Sequence, residues 1–175
     1  ETLAAAIEAV PSDGTETTVK LLQDAKIAEK IVVNDKKNVI LDLNGHSVEH
    51  EGAFVFQIYN ARFHVTGTGS IFENATDQYA PIWAIGSNTD VENYTVITID
   101  NGVTLKGDYA GIFVATDSSG KYNNYGLVIN MNGKIDLSQA GTVENYGYCI
   151  YINGNNQQMN GNIATFNLNG AKLLA

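Results

Sequence analysis

The chain has one cysteine, two prolines and one tryptophan in 175 residues, and Arg62 is its single arginine. A lone Cys149 excludes any disulfide framework within the chain. It lies in the strand-like run Tyr148–Ile152, where a thiol serves as a small buried apolar side chain. Positive charge is scarce: ten Lys plus Arg stand against nineteen Asp plus Glu, a formal charge of −9. Nucleic acids and anionic lipid headgroups are held by basic surfaces, so neither is an expected partner. No apolar run approaches the ~20 residues that span a bilayer, so no membrane insertion is expected. The chain opens at Glu1 without Met and without a basic n-region or apolar h-region, as a mature or excised fragment of a longer protein does.

Helical period is almost absent. Only Thr2–Val10 carries it, with Leu3, Ala6, Ile7 and Val10 on one face, Thr2 as N-cap and Pro11 just past the end. A short amphipathic helix at this place is suited to covering the open end of a stack of strands. Ser12-Asp13-Gly14 then makes a turn.

What the chain does have is glycine, seventeen of them, with frequent asparagine, a turn-rich β composition. Strand signals begin at Val19–Leu22 and Lys30–Val33 and lead into Asn38–Val48, NVILDLNGHSV. That stretch reads as strand, Asn-Gly corner, strand, because Asn-Gly adopts backbone angles that branched residues avoid. Similar elements recur at Phe63–Ile71, Ile97–Leu105, Leu127–Leu137 and Phe166–Leu174. The corner glycines are Gly45, Gly67, Gly102, Gly133 and Gly170, spaced by 22, 35, 31 and 37 residues. Constant corners at uneven spacing imply stacked coils whose loops vary on one edge. A sandwich instead has short matched hairpins and no repeated unit.

Stacking predicts two kinds of column. The residues preceding the corner glycines, Asn44, Thr66, Asn101, Asn132 and Asn169, form a structural hydrogen-bonded ladder if the corners superpose at the ~4.8 Å strand spacing. Ile40, Val65, Ile97 and Ile129 are members of inner apolar columns. The expected fold is all-β: a right-handed parallel β-helix of about five coils with a short N-terminal capping helix. It forms one domain over residues 1–175, with the helical cap and turn in 1–14 and the coils in 18–175.

The segment TVKLLQDAKIAEKIVVNDKKNVILDLNGHSVE, above all its LDLNGH portion, resembles the opening coils of right-handed parallel β-helix domains of the pectate-lyase-like superfamily. The versions it looks most similar to occur in large surface proteins of Gram-positive gut bacteria. The resemblance implies an extracellular or cell-surface location in a bacterium, with further domains of the same parent chain as neighbours. Members of the superfamily include enzymes on acidic polysaccharides and also adhesive or non-catalytic modules.

The enzymatic pattern is thin. A calcium-dependent lyase needs clustered carboxylates and a base, commonly arginine in that family. Here Arg62 is the one arginine, and Asp42 and Asp100 sit in different frames relative to their corners. Arg62 is expected to cover apolar surface with its stem. Asn88-Thr89-Asp90 matches the first short motif of polygalacturonases, but no adjacent Asp pair, Gly-His-Gly or Arg-Ile-Lys follows, and turn chemistry accounts for it. His46, His50 and His64 lack metal-ligand spacing. No catalytic residue, metal site or cofactor is assigned.

The short apolar runs Ala53–Ile58, Pro81–Ile85, Gly111–Ala115 and Tyr148–Ile152 align Val55, Trp83, Phe113 and Tyr151 in one outward column. Phe54, Ile82, Ile112 and Ile150 then face the core, as do Phe56, Ala84, Val114 and Ile152. An aromatic column on an outer face is either covered by the long inserts Asn88–Asn93 and Asp117–Asn124 or exposed as a stacking platform for sugar rings. Loop residues Tyr122, Tyr125 and Tyr146, in Lys121–Tyr125 and Glu144–Tyr146, together with Asn153–Gln157, supply amides and hydroxyls beside it. The expected function is therefore an extracellular non-catalytic adhesive or glycan-binding module, with polysaccharide or a host or cell-surface glycan as partner. The alternatives are a polysaccharide lyase or hydrolase and a purely structural stalk.

Overall fold

The computed structural model describes residues 1–74, 78–86, 95–115, 126–138, 147–153 and 164–174. The chain begins with α1 (Leu3–Glu8), entered through an extended Thr2 whose Oγ1 accepts the Ala5 amide at 3.2 Å. Leu3, Ile7 and Val10 are buried against the first coil. Lys37 closes the other end: its Nζ donates to the carbonyls of Glu8 at 2.8 Å and Val10 at 2.7 Å. A helix leaves its last carbonyls without partners and carries partial negative charge there, so a buried ammonium meets both needs.

Strands then follow in threes. The first coil is β1 (Glu16–Lys20), β2 (Ala25–Ile27) and β3 (Ile31–Val33), and the second is β4 (Asn38–Asp42), β5 (Ser47–His50) and β6 (Phe56–Tyr59). The third is β7 (Arg62–Thr66), β8 (Gly69–Glu73) and β9 (Ile82–Ile85), and the fourth β10 (Val96–Ile99), β11 (Val103–Lys106) and β12 (Ala110–Val114). The fifth is β13 (Val128–Met131), β14 (Lys134–Asp136) and β15 (Tyr148–Ile152), after which β16 (Thr165–Asn167) and β17 (Lys172–Leu174) start another turn. Each strand pairs in parallel with the strand three later, giving two six-stranded sheets and one of five. This is a parallel β-helix.

The interior explains the register. Val39, Phe63, Ile97 and Ile129 stack in the first sheet, Val48, Ile71, Leu105 and Ile135 in the second, and Phe56, Ile82 and Ile112 in the third. All are essentially inaccessible to solvent. Burying one such side chain contributes about 1.5–3 kcal/mol, and a one-residue slip would turn a whole column outward. Phe56 and Phe63, with ring centroids 4.9 Å apart, join the third sheet to the first across the core.

Several sequence expectations shift by a residue or two. The first strand is Glu16–Lys20, and Leu22 lies beyond it, 83% exposed. Ile40 faces outward, opposite His64, while Val39 and Leu41 fill the core; Val65, Ile97 and Ile129 are inside as expected. The residues before the corner glycines do not form one ladder. Thr66 lies opposite Asp42, two residues before Asn44, and Asn44 Nδ2 instead donates to the Leu21 carbonyl at 3.0 Å. The reason is unequal corners: residues 100–103 in one coil answer to residues 132–133 in the next, between the pairs Ile99–Met131 and Thr104–Lys134. An amide ladder does exist elsewhere. Asn167 Nδ2 donates to Asn130 Oδ1 at 2.8 Å, and Asn130 Nδ2 donates to Thr98 Oγ1 at 3.2 Å, on the outer face of the first sheet.

Two corners show what the turns require. At the first, Asn44 and Gly45 both take positive φ, +50° and +89°, the conformation the Asn-Gly pair favours. At the next, Gly69 has φ +146°, and an added Cβ would lie 2.0 Å from the His46 carbonyl oxygen.

Candidate ligand-binding face

The outer face of the third sheet carries the column Val32, Gln57, Trp83, Phe113 and Tyr151, one residue from each successive coil. Trp83, Phe113 and Tyr151 therefore align as the sequence implied, and all three are half-buried. Val55 does not belong with them. It is fully buried, and Gln57 takes that place. Phe54 is displaced likewise: Phe56 is the core residue opposite Ile82, and Phe54 lies outside on the turn.

The turns from the second sheet to the third bring further rings to this face. Phe54 sits 4.8 Å from Trp83, 5.3 Å from Phe113 and 5.1 Å from Tyr79, centroid to centroid. Tyr109, almost fully buried, lies 5.4 Å from Tyr151 and 5.6 Å from Tyr148. Phe113 and Tyr151 stack at 5.1 Å with their planes only 19° apart. That separation nearly equals the ~4.8 Å rise between strands, so the two rings lie face to face along the helix axis and turn their edges outward. Trp83 donates its indole N–H to the Ala115 carbonyl at 3.1 Å, and the Lys30 ammonium stands 4.9 Å from its ring centroid. Such a cation over an indole contributes about 0.5–1 kcal/mol when exposed. Searches of protein-family models, curated proteins and solved structures found no match to the chain.

The outcome is a continuous aromatic ridge over three coils. Tyr148, 39% exposed, and half-buried Tyr151 bring phenol groups to its accessible end. Tyr122, Tyr125 and Tyr146 lie outside the described residues, as do the inserts Asn88–Asn93 and Asp117–Asn124 and, after Asn153, the rest of Asn153–Gln157. The sequence reading put Phe54 in the core and did not single out Tyr79 or Tyr109. Their signal was available, since each lies in the turn between the second-sheet and third-sheet strands of its coil, but it needs the three-strand coil to be seen.

The residues weighed for catalysis do not converge. Arg62 pairs with Asn38 at one end of β4 and β7, whereas Asp42 pairs with Thr66 at the other end. Four residues of strand separate them, roughly 13 Å at ~3.3 Å each. Asp42 is engaged by Lys20 at 3.5 Å and Asp100 by His64 at 2.9 Å. His46 stands 3.5 Å from Asp24 on a different corner. Among the described residues no group of three or more His, Cys, Asp and Glu side chains is placed to hold a metal ion. Cys149 is partly buried, and that burial raises its thiol pKa, which keeps it protonated and weakly nucleophilic.

Proposed function

We propose that the chain is an extracellular, non-catalytic adhesive module that binds glycan along its third sheet, within a pectate-lyase-like β-helix of a bacterial surface protein. The observation that supports this reading is the in-register column Trp83–Phe113–Tyr151, half-buried and flanked by Phe54, Tyr79, Tyr109 and Tyr148. An outward sheet face that only meets water has no reason to gather seven aromatic rings, whereas apolar ring edges beside phenol hydroxyls suit the mixed surface of a sugar. The rest of the chain supports the same class. Its charge of −9 disfavours nucleic acid and anionic lipid, leaving a neutral polysaccharide or cell-surface glycan as the natural ligand.

A second reading is favoured by the stacking of Phe113 on Tyr151, which uses ring faces on each other. In that case the column braces the corners of a structural stalk. Trp83, the sole tryptophan, separates the two. Its emission is recorded against a panel of polysaccharides, while reducing-end and unsaturated products are followed with and without calcium. A saturable shift without product supports glycan binding, and Phe113→Ala or Tyr151→Ala then abolishes it. An unresponsive Trp83 with every glycan leaves the stalk. Product formation overturns both in favour of a lyase or hydrolase.

A further inference from the structure

The last inward positions of the second sheet are polar on two successive coils. His50 ends β5 at 4% exposure, Glu73 ends β8 fully buried, and the two are register partners. On the coil before, the same place is held by Ile27. The interior accepts an apolar residue there, so the demand for histidine arises elsewhere.

It arises in the turn. His50 Nδ1 lies 3.1 Å from the Ala53 carbonyl oxygen and 2.9 Å from that of Phe54. Both partners only accept, so Nδ1 carries the proton and shares it between them. The turn they belong to passes through Gly52 at φ +104° and delivers the Phe54 ring against Trp83, Phe113 and Tyr79. Backbone bonds to neighbouring coils begin only at the next residue: the Val55 carbonyl accepts the Ile31 amide at 2.9 Å, the Val55 amide reaches the Ala80 carbonyl at 3.4 Å, and the Phe56 amide reaches the Pro81 carbonyl at 3.1 Å. The His50 imidazole is thus the side-chain donor that holds the Ala53 and Phe54 carbonyls themselves, beside the backbone bonds that hold Val55 and Phe56.

We propose that His50 is a positioning residue for the aromatic ridge. Its Nδ1–H fixes the Phe54 carbonyl from inside the solenoid and so sets the Phe54 ring against Trp83. An apolar side chain at position 50 would fill the same space and leave both carbonyls without a donor. The assignment concerns the architecture of the ridge and holds whatever the ridge binds.

The test compares His50→Leu, His50→Asn and Phe54→Ala in the full chain, reading Trp83 emission and near-ultraviolet circular dichroism, with far-ultraviolet dichroism as the check on the fold. Leucine removes the donor, whereas the asparagine amide nitrogen occupies the place of Nδ1. The expected result is that His50→Leu shifts Trp83 emission and weakens the aromatic dichroism as Phe54→Ala does, that His50→Asn retains both signals, and that the double variant His50→Leu/Phe54→Ala matches Phe54→Ala alone. Should His50→Leu fail to fold, His50→Gln replaces it, since its amide reaches the Nε2 place and misses the turn. An unperturbed Trp83 in the donor-less variant, or equal perturbation by His50→Asn, overturns the proposal. No glycan enters the measurement, so its failure is separate from any failure of ligand binding.

Discussion

Replacing Lys37 by methionine isolates the contribution of the one buried ammonium at the N-terminal cap. Methionine keeps most of the stem's volume and removes the donors to Glu8 and Val10. Hydrogen bonds from a charged group contribute about 1.5–3 kcal/mol each, but the partly exposed Glu8 carbonyl regains water while the Val10 carbonyl, on a buried bond, does not. The expected loss is therefore roughly 2–4 kcal/mol, less than the gross sum of two bonds. That amount is decisive for α1. Burial of Leu3, Ile7 and Val10 supplies about 5–9 kcal/mol gross, while ordering the backbone of the segment costs about 1–2 kcal/mol per residue, so docking of the helix is finely balanced. Hydrogen exchange of the α1 amides, read beside a thermal melt, checks this. Lys37→Met should expose the helix amides to fast exchange while those of β10 to β12 stay protected, because a solenoid loses its end before its middle. Lys20→Met is the control: Lys20 is 52% exposed at the side chain and pairs with Asp42 at 3.5 Å, a contact of the kind that contributes below ~1 kcal/mol. Equal effects of the two substitutions, or unchanged α1 protection in Lys37→Met, would refute the reasoning.

Three further outcomes are expected. Gly69→Ala places a methyl 2.0 Å from the His46 carbonyl oxygen at a positive φ and should destabilise by roughly 2–5 kcal/mol in denaturant melts, whereas Gly14→Ala, with open space around it, should lose only about 1 kcal/mol of backbone strain. The Lys134 ammonium beside Asp136, with the Ser138 hydroxyl and amide, holds the Asp136 carboxyl at about 2, below its usual 3.8. Its contribution is thus full above pH ~3.8 and lost as pH falls through about 2, so Asp136→Asn should flatten the acid limb of the stability profile in that window and leave neutral pH dependence unchanged. Asn130→Ala removes the middle rung between Thr98 and Asn167 and should lower the melting free energy by about 1–2 kcal/mol, while Asn130→Asp retains the acceptor for Asn167 and loses only the donor to Thr98.

Much of this fold is legible in the sequence because the interior repeats. Strict alternation in Val39–Leu41, Phe63–Val65 and Ile97–Ile99 marks the first sheet, and the capping helix follows from Thr2, its apolar face and Pro11. The outward column was visible wherever a polar or aromatic residue breaks an apolar run, as at Trp83, Phe113 and Tyr151. In Ala53–Ile58 nothing breaks the run before Gln57, so the sequence permits two frames, and only packing of Phe56 against Phe63 chooses between them. The asparagine ladder was misplaced for a related reason. A residue before a corner glycine is in register only if all corners have equal length, and here they do not. Lys37 and His50 gave no signal at all, since a donor's value depends on carbonyls far from it in sequence or hidden by a turn.

The uneven winding of the chain gives this molecule a mechanical signature. From the second coil onward, successive coils begin at Asn38, Arg62, Val96, Val128 and Thr165, so the intervals hold 24, 34, 32 and 37 residues. Among the described strands the ladder hydrogen bonds run from coil to coil, so tension applied between the two ends should peel strands off one after another instead of shearing them together. Each released coil lengthens the tether by its own contour, roughly 80, 115, 110 and 125 Å at about 3.4 Å per residue, while giving up only ~5 Å of folded height. A single molecule drawn out in this way should therefore yield in discrete, unequal steps whose order reports which end opens first. Such a coil stores about twenty times its height as slack.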